Sequence, residues 1–410
     1  MPLFPSVLKR PFRPLIWQAT LLGILAPAAY ASTTPTDAAP AAHAAHTAHT
    51  AQATVPTSTA SEPLPAATAL PHSHSHVSSG LNLVGFLTAA YSRDGSGTAQ
   101  YLGGKEGHLE GALLVTYGQG PFRFLSEAVL TTKEQEIERL QVGIEARPGT
   151  MVWLGRVHQP SSYWNTEFHH GQYLQNSITR PAIEAWEDDG GILTQHVAGL
   201  LFETEHSLHN GSTVRLATSA GLAPAIEHGT LQPFSVTGSP NGLRRAAFAL
   251  RLDFLPDGIG EQAFGLMSGF SGLKARNAGL TDLDHIDQTT FGVYGDVHVG
   301  ETRWLASVYR IRNRFDYGQR LVSEHATSWF LHGEWRLNEQ WMTYARHEST
   351  LGTRGSAYFQ LYPGFISERS IVGARRELGT HQALSVEAGG ARANEHRFTE
   401  LRLQWSALFH

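Results

Sequence analysis

Glu400-Leu401-Arg402-Leu403-Gln404-Trp405-Ser406-Ala407-Leu408-Phe409-His410 closes the chain, and its alternation is the key to the fold. Successive side chains of an extended strand point to opposite faces. Leu401, Leu403, Trp405, Ala407 and Phe409 therefore share one side, and Glu400, Arg402, Gln404 and Ser406 the other. One side suits hydrocarbon, the other water. A half-buried strand of a soluble antiparallel sheet carries the same alternation, so the recurrence of the pattern and the connections between its copies must decide.

From residue 80 onward the pattern recurs sixteen times. The first eight segments are 81–91, 108–117, 122–131, 137–146, 151–158, 194–205, 213–221 and 243–254. The second eight are 262–270, 289–299, 303–312, 326–336, 340–347, 368–376, 381–389 and 396–409. In the eighth, Ala246, Phe248, Leu250, Leu252 and Phe254 oppose Arg245, Arg251 and Asp253; in the eleventh, thirteenth and fourteenth the outer face is ambiguous. Connections after even-numbered strands are tight and rich in Gly, Pro, Asn and Asp, as in Arg147-Pro148-Gly149-Thr150 and Pro256-Asp257-Gly258. These residues supply the dihedrals of sharp reversals. After odd-numbered strands the connections are mostly long and polar, as in 92–107, 222–241, 271–288 and 349–366. Short turns at one end and long loops at the other are the mark of an all-β transmembrane antiparallel barrel. Fourteen strands is the alternative count, because the connection between the third and fourth strands is short.

The rest of the composition agrees. Among 410 residues there are 41 Gly and 10% aromatics, and no apolar run beyond the leader nears the ~20 residues of a spanning helix. Residues 1–31 read as a cleaved signal peptide: Lys9, Arg10 and Arg13 precede an apolar core and Ala29-Tyr30-Ala31. Residues 32–79 form an Ala/Thr/Pro-rich tail that lacks the apolar content to fold. Two clusters in it, His43, His46, His49 and His72, His74, His76, offer imidazoles for weak chelation of divalent metal. Cysteine is absent, which excludes disulfides and thiolate chemistry, and a net charge of −5 gives no reason to expect a nucleic-acid partner.

The longest connection, 159–193, is dense in aromatic, His and acidic residues: Gln159-Pro160-Ser161-Ser162-Tyr163-Trp164-Asn165-Thr166-Glu167-Phe168-His169-His170, later Arg180-Pro181, then Glu184-Ala185-Trp186-Glu187-Asp188-Asp189-Gly190-Gly191. It is the third long-end connection. In this the chain, over about 80–410, resembles the sixteen-stranded outer-membrane porins, whose third external loop folds into the barrel and narrows it. The resemblance rests on topology, and the chain departs from it in ending on His410 after Phe409. It implies a bacterial outer-membrane channel for passive diffusion of small hydrophilic or charged solutes, surrounded by lipid, often trimeric, with both termini in the periplasm and no cofactor.

An inserted loop would set Glu187, Asp188 and Asp189 across a narrow gap from lumen arginines. Strand parity nominates Arg156, Arg245, Arg251, Arg310 and Arg402, and opposed charges there would create a transverse field. Two other readings compete. His158, His169, His170 and His196 with the loop acids could hold a divalent cation such as Zn²⁺. His347-Glu348-Ser349, or His381 with Ser385, could serve an outer-membrane lipid hydrolase. A barrel plugged as a receptor is the third possibility. The expectation is a channel, not an enzyme.

Overall fold

The computed structural model describes residues 80–94, 105–131, 135–168, 171–187, 190–227, 229–235, 244–258, 260–276, 283–393 and 396–410. The leader, the tail with His43, His46, His49, His72, His74 and His76, and the residues His169, His170, Asp188 and Asp189 lie outside the described residues.

Sixteen strands make up the wall. They are β1 (Gly80–Asp94), β2 (Lys105–Gln119), β3 (Phe122–Thr131), β4 (Gln135–Arg147), β5 (Thr150–His158), β6 (His196–Ser207), β7 (Thr213–Leu222) and β8 (Ala246–Leu255). The second half comprises β9 (Ala263–Arg276), β10 (His285–Val299), β11 (Thr302–Asp316), β12 (Leu321–Arg336), β13 (Trp341–Leu351), β14 (Ile366–Glu377), β15 (Gln382–Ala393) and β16 (His396–Phe409). Each pairs antiparallel with its sequence neighbour, and β1 pairs with both β2 and β16, from Gly85↔Phe409 to Asp94↔Glu400. The sheet closes on itself and so has no free edge among the wall strands. A small hairpin, Ala225–Glu227 with Thr230–Gln232, extends the sheet beside the end of β9. Strands β3 and β4 are separate and paired, which removes the fourteen-strand alternative.

All sixteen expected segments are strands, yet several run further at the long-loop end. β11 continues to Asp316, β12 starts at Leu321, and β9 and β10 consume part of the 271–288 connection. A barrel needs only about 9–11 residues per strand to cross the hydrocarbon, while β11 has 15 and β12 has 16. Above the lipid the outward positions become polar, so the alternation that identifies a strand fades although the ladder persists.

Outward positions carry the apolar residues. β8 alternates exposed and buried throughout, with Phe248, Leu250, Leu252 and Phe254 outside. The terminal strand behaves as its sequence requires: Leu401, Leu403 and Phe409 are exposed, while Glu400, Gln404 and Ser406 are buried. So much exposed apolar surface is stable only when lipid covers it. The inner face is less polar than an aqueous lumen demands. Met151, Trp153, Leu201, Leu305, Ile311 and Phe330 are buried there, in one cluster with Tyr163, Trp164, Phe168, Ile183, Ile192 and Leu193 of the long connection. Each such side chain contributes about 2 kcal/mol by leaving water. The core of this barrel is the space that an open pore would leave wet.

Candidate functional site

The 159–193 connection leaves β5 and returns to β6 through a narrow neck. Gln159 N–H donates to the Gln195 carbonyl at 2.7 Å, and Ser161 Oγ to Thr194 O at 3.0 Å. Between them the chain meets inward side chains of strands around much of the wall. A short helix, α1 (Tyr163–Phe168), stacks Tyr163 on Tyr294 of β10 at 4.0 Å and donates its hydroxyl to Asp296 at 3.0 Å. Trp164 packs edge-on against Phe330 and His332 of β12. Gly171 lies against the Phe86 ring of β1, where a Cβ would come within 2.8 Å.

Charged inward residues grip the segment that follows. Arg375 donates to the carbonyls of Tyr173 and Gln175, both at 2.9 Å. Arg346 donates to Thr179 O at 2.7 Å and Arg180 O at 3.0 Å, and Arg369 to Arg180 O at 3.1 Å. Glu387 accepts the N–H groups of Ile178 and Thr179 at 3.0 and 3.3 Å, and Glu334 accepts from Asn176 at 2.7 Å. These charge-assisted bonds satisfy a backbone that has no regular structure of its own. Glu184 meets the Tyr309 and Ser162 hydroxyls, and Tyr358 donates to Ile192 O at 2.6 Å.

Two loop carboxyls differ sharply. Burial pushes the Glu184 carboxyl up to about 8, against a smaller opposing effect from the Tyr309 hydrogen bond. Burial opposes ionisation of Glu187 as well, but the His196 imidazole and the N–H groups of His196 and Gln195 outweigh it and hold it below the ordinary range.

Several sequence-nominated residues stand elsewhere than expected. Glu187 is buried: it accepts from Gln195 N at 2.6 Å and His196 N at 2.8 Å, and pairs with His196 Nδ1 at 2.7 Å. It fastens the neck and does not face a gap. Arg156 is buried between Glu136 and Glu138. Arg251 bonds Asp253 at 3.0 Å and the Thr166 hydroxyl, so it also holds the loop. Arg402 faces inward, 3.0 Å from Glu400. Arg245 and Arg310 are on the outside. Arg310 shares the outward parity of Trp304 and Val308 and bonds Thr327. Arg245 crosses Gly272 toward Asp287, whose outward row also holds Arg314.

The proposed metal ligands are partly assembled. His158 and His196 have ring centroids 4.7 Å apart, beside Trp186. Glu187 and Glu138 already engage the two nitrogens of His196, and among the described residues no three ligating side chains form a metal group. For hydrolysis, His347 Nδ1 and Ser370 Oγ lie 2.7 Å apart on the outer wall, while Glu348 points inward to Arg369. No carboxylate orients that imidazole among the described residues. Ser385 is buried inside, apart from His381, which packs edge-on against His410. The arginines and acids of β12–β15 that hold the loop were not nominated. Their inward parity was the available signal, hidden because β13 and β14 read ambiguously.

No protein-family model matches the sequence, and no curated protein does. Solved structures do. The anion-selective porin from Comamonas acidovorans aligns with TM-score 0.55 at 12% identity over 81% of this chain and 100% of its own. The outer membrane channel DcaP of Acinetobacter baumannii gives 0.52 at 12% over 80% and 97%. OmpF of Salmonella typhi, solved in complex with daunomycin, gives 0.50 at 12% over 80% and 97%. The fold is that of the outer-membrane porins. Within the porin fold, the 159–193 segment occupies the connection after β5, the third at the long-loop end. In this barrel, inward Arg346, Arg369, Arg375, Glu334 and Glu387 are all committed to that one segment.

Proposed function

We propose that the protein is a bacterial outer-membrane porin-like channel for small hydrophilic or charged solutes, in which the 159–193 loop sets the passage. The observation that supports this reading is the pairing of a closed, apolar-jacketed sixteen-stranded barrel with a long connection bonded to inward Arg346, Arg369, Arg375 and Glu387. The outer jacket needs lipid, and a barrel of this strand number has room for an aqueous route wherever the loop does not fill it. Selectivity would come from size and from residual charge, with no turnover and no cofactor. The termini of the barrel share the short-turn end, which this reading puts in the periplasm. The outward faces of β4–β6, with Leu140, Val142, Ile144, Val152, Leu154 and Leu200 and no Trp or Tyr, suit contact with a second copy in a trimer.

The buried apolar interior favours a variant of the same reading, a channel closed at rest that conducts when the loop shifts. Planar-bilayer recording tests both. Wild-type protein should give small or infrequent conductance steps, and deletion of 171–182 should enlarge them severalfold. Silence from both folded proteins would replace the channel with a plugged receptor barrel.

A further inference from the structure

On the outer wall of β11, Arg310, Arg312 and Arg314 succeed one another at outward positions, all exposed. They continue the line of Trp304 and Val308, so the row rises from the edge of the apolar belt toward the long-loop end. Successive outward residues are about 6.6 Å apart along a strand. The cross-strand partners add polar groups at the same levels: Thr327 opposite Arg310, exposed His325 opposite Arg312, and Ser323 opposite Arg314. Two acids border the row: Asp287, which bonds Arg314 at 2.7 Å and also takes Arg245 at 3.8 Å, and Asp316, the next position of that parity on β11, whose carboxylate lies 3.9 Å from His285. Arg310 bonds only the neutral Thr327 hydroxyl, and Arg312 has no side-chain partner among the described residues. Two guanidinium forks thus stand uncompensated at the level where a bilayer passes from acyl chain to headgroup.

We infer that Arg310 and Arg312, with His325 and Thr327 beside them, form a binding site for the phosphate groups of a phosphorylated glycolipid in the outer leaflet. A planar fork matches phosphate oxygens in pairs, which a single ammonium does not. Glycolipid is favoured over phospholipid because the row climbs over two further strand positions above the belt. That spread fits a large headgroup carrying more than one phosphate better than a single phosphodiester. The site rests on the outer-membrane reading above, since it requires the long loops to face outward.

The test is native mass spectrometry of the full-length barrel released from detergent with bis-phosphorylated lipid A, its dephosphorylated form, or phosphatidylglycerol. Wild-type protein should retain the bis-phosphorylated glycolipid, and Arg310→Gln/Arg312→Gln should lose about tenfold of that retention. Arg336→Gln/Arg376→Gln, at the opposite end of the wall, should retain it fully. Unchanged heat-dependent gel mobility establishes that each variant is folded. Equal retention by the first double variant, or equal retention of phosphatidylglycerol or dephosphorylated glycolipid by wild type, overturns the site. Conductance is read separately: a conducting barrel that fails to retain the lipid refutes the site alone, and a silent barrel that retains it refutes the channel alone.

Discussion

Glu184 and Glu187 lie in one stretch of loop, and their environments pull their protons in opposite directions. Glu184, with a folded value of about 8 against 4.5 in water, contributes stability that is complete below pH 4.5 and lost as pH rises through 8. Glu187, held low by His196, contributes stability present above the ordinary carboxylate range and lost as pH falls through its depressed value. The hold on the loop should therefore be strongest near pH 4.5–5 and weaken on either side. Thermal unfolding of the detergent-solubilised barrel should show its midpoint falling between pH 5 and 9, and Glu184→Gln should flatten that fall. An identical slope in the variant would remove Glu184 from the account. Arg346 makes a second prediction. It is buried and bonds Thr179 and Arg180 while facing Glu348 at 3.6 Å. Arg346→Met should cost about 1–3 kcal/mol, because it leaves the buried Thr179 carbonyl without its charged donor, while Arg369 still engages Glu348 and the Arg180 carbonyl. Urea unfolding measures the loss, and bilayer recording should show larger steps from the same variant.

At the scale of elements, the inner wall is shaped by aromatic rings lying over glycines on the neighbouring strand. Tyr344 of β13 covers its register partner Gly373 of β14, and Tyr294 of β10 covers Gly265 of β9, with a Cβ in either place only 2.2 Å from the ring. Tyr344 then reaches Glu387, and Tyr294 reaches Asp253 at 2.6 Å, so each glycine lets a ring lie flat and aim a hydroxyl at an acid. Gly373→Val should destabilise the barrel by about 1–3 kcal/mol through overpacking, measured by urea unfolding. It should also raise conductance, since a displaced Tyr344 disturbs Glu387 and through it the 178–179 backbone. A variant as stable as wild type would mean that the ring has another position open to it. Strand length belongs to this scale too. The extra residues of β11 and β12 carry Arg314, Ser323 and His325 outward, which is why they read as loop: their pattern matches neither lipid contact nor a turn.

For the whole molecule, the governing quantity is the apolar jacket. Phe248, Phe291, Trp304, Leu331, Trp335 and Phe409 are among many large side chains that stand exposed on the outside. Purified protein should aggregate when detergent is diluted below its micellar threshold, and should fractionate with outer membranes in cells; a monodisperse detergent-free protein would contradict the barrel's setting. The sixteen strands and their two kinds of connection were legible in the chain because hydrocarbon and turn geometry act on each segment separately. An outward Leu403 or a Gly149 in a turn needs no knowledge of the rest of the fold. Other features were not legible. From sequence Arg310 reads as a lumen residue because its strand alternates weakly above the belt, and Glu187 as facing an aqueous gap because an acidic run looks solvated. Only the closed barrel shows that Glu187 fastens the neck to His196, and that Arg346, Arg369 and Arg375 grip loop carbonyls. The amino-acid order by itself determined a barrel of about sixteen strands and its long third connection, since those follow from local periodicity, while the pairing of β3 with β4 excluded fourteen. What fills the barrel was decided by tertiary structure, because inward residues distant in sequence meet the loop only once the wall has closed around it.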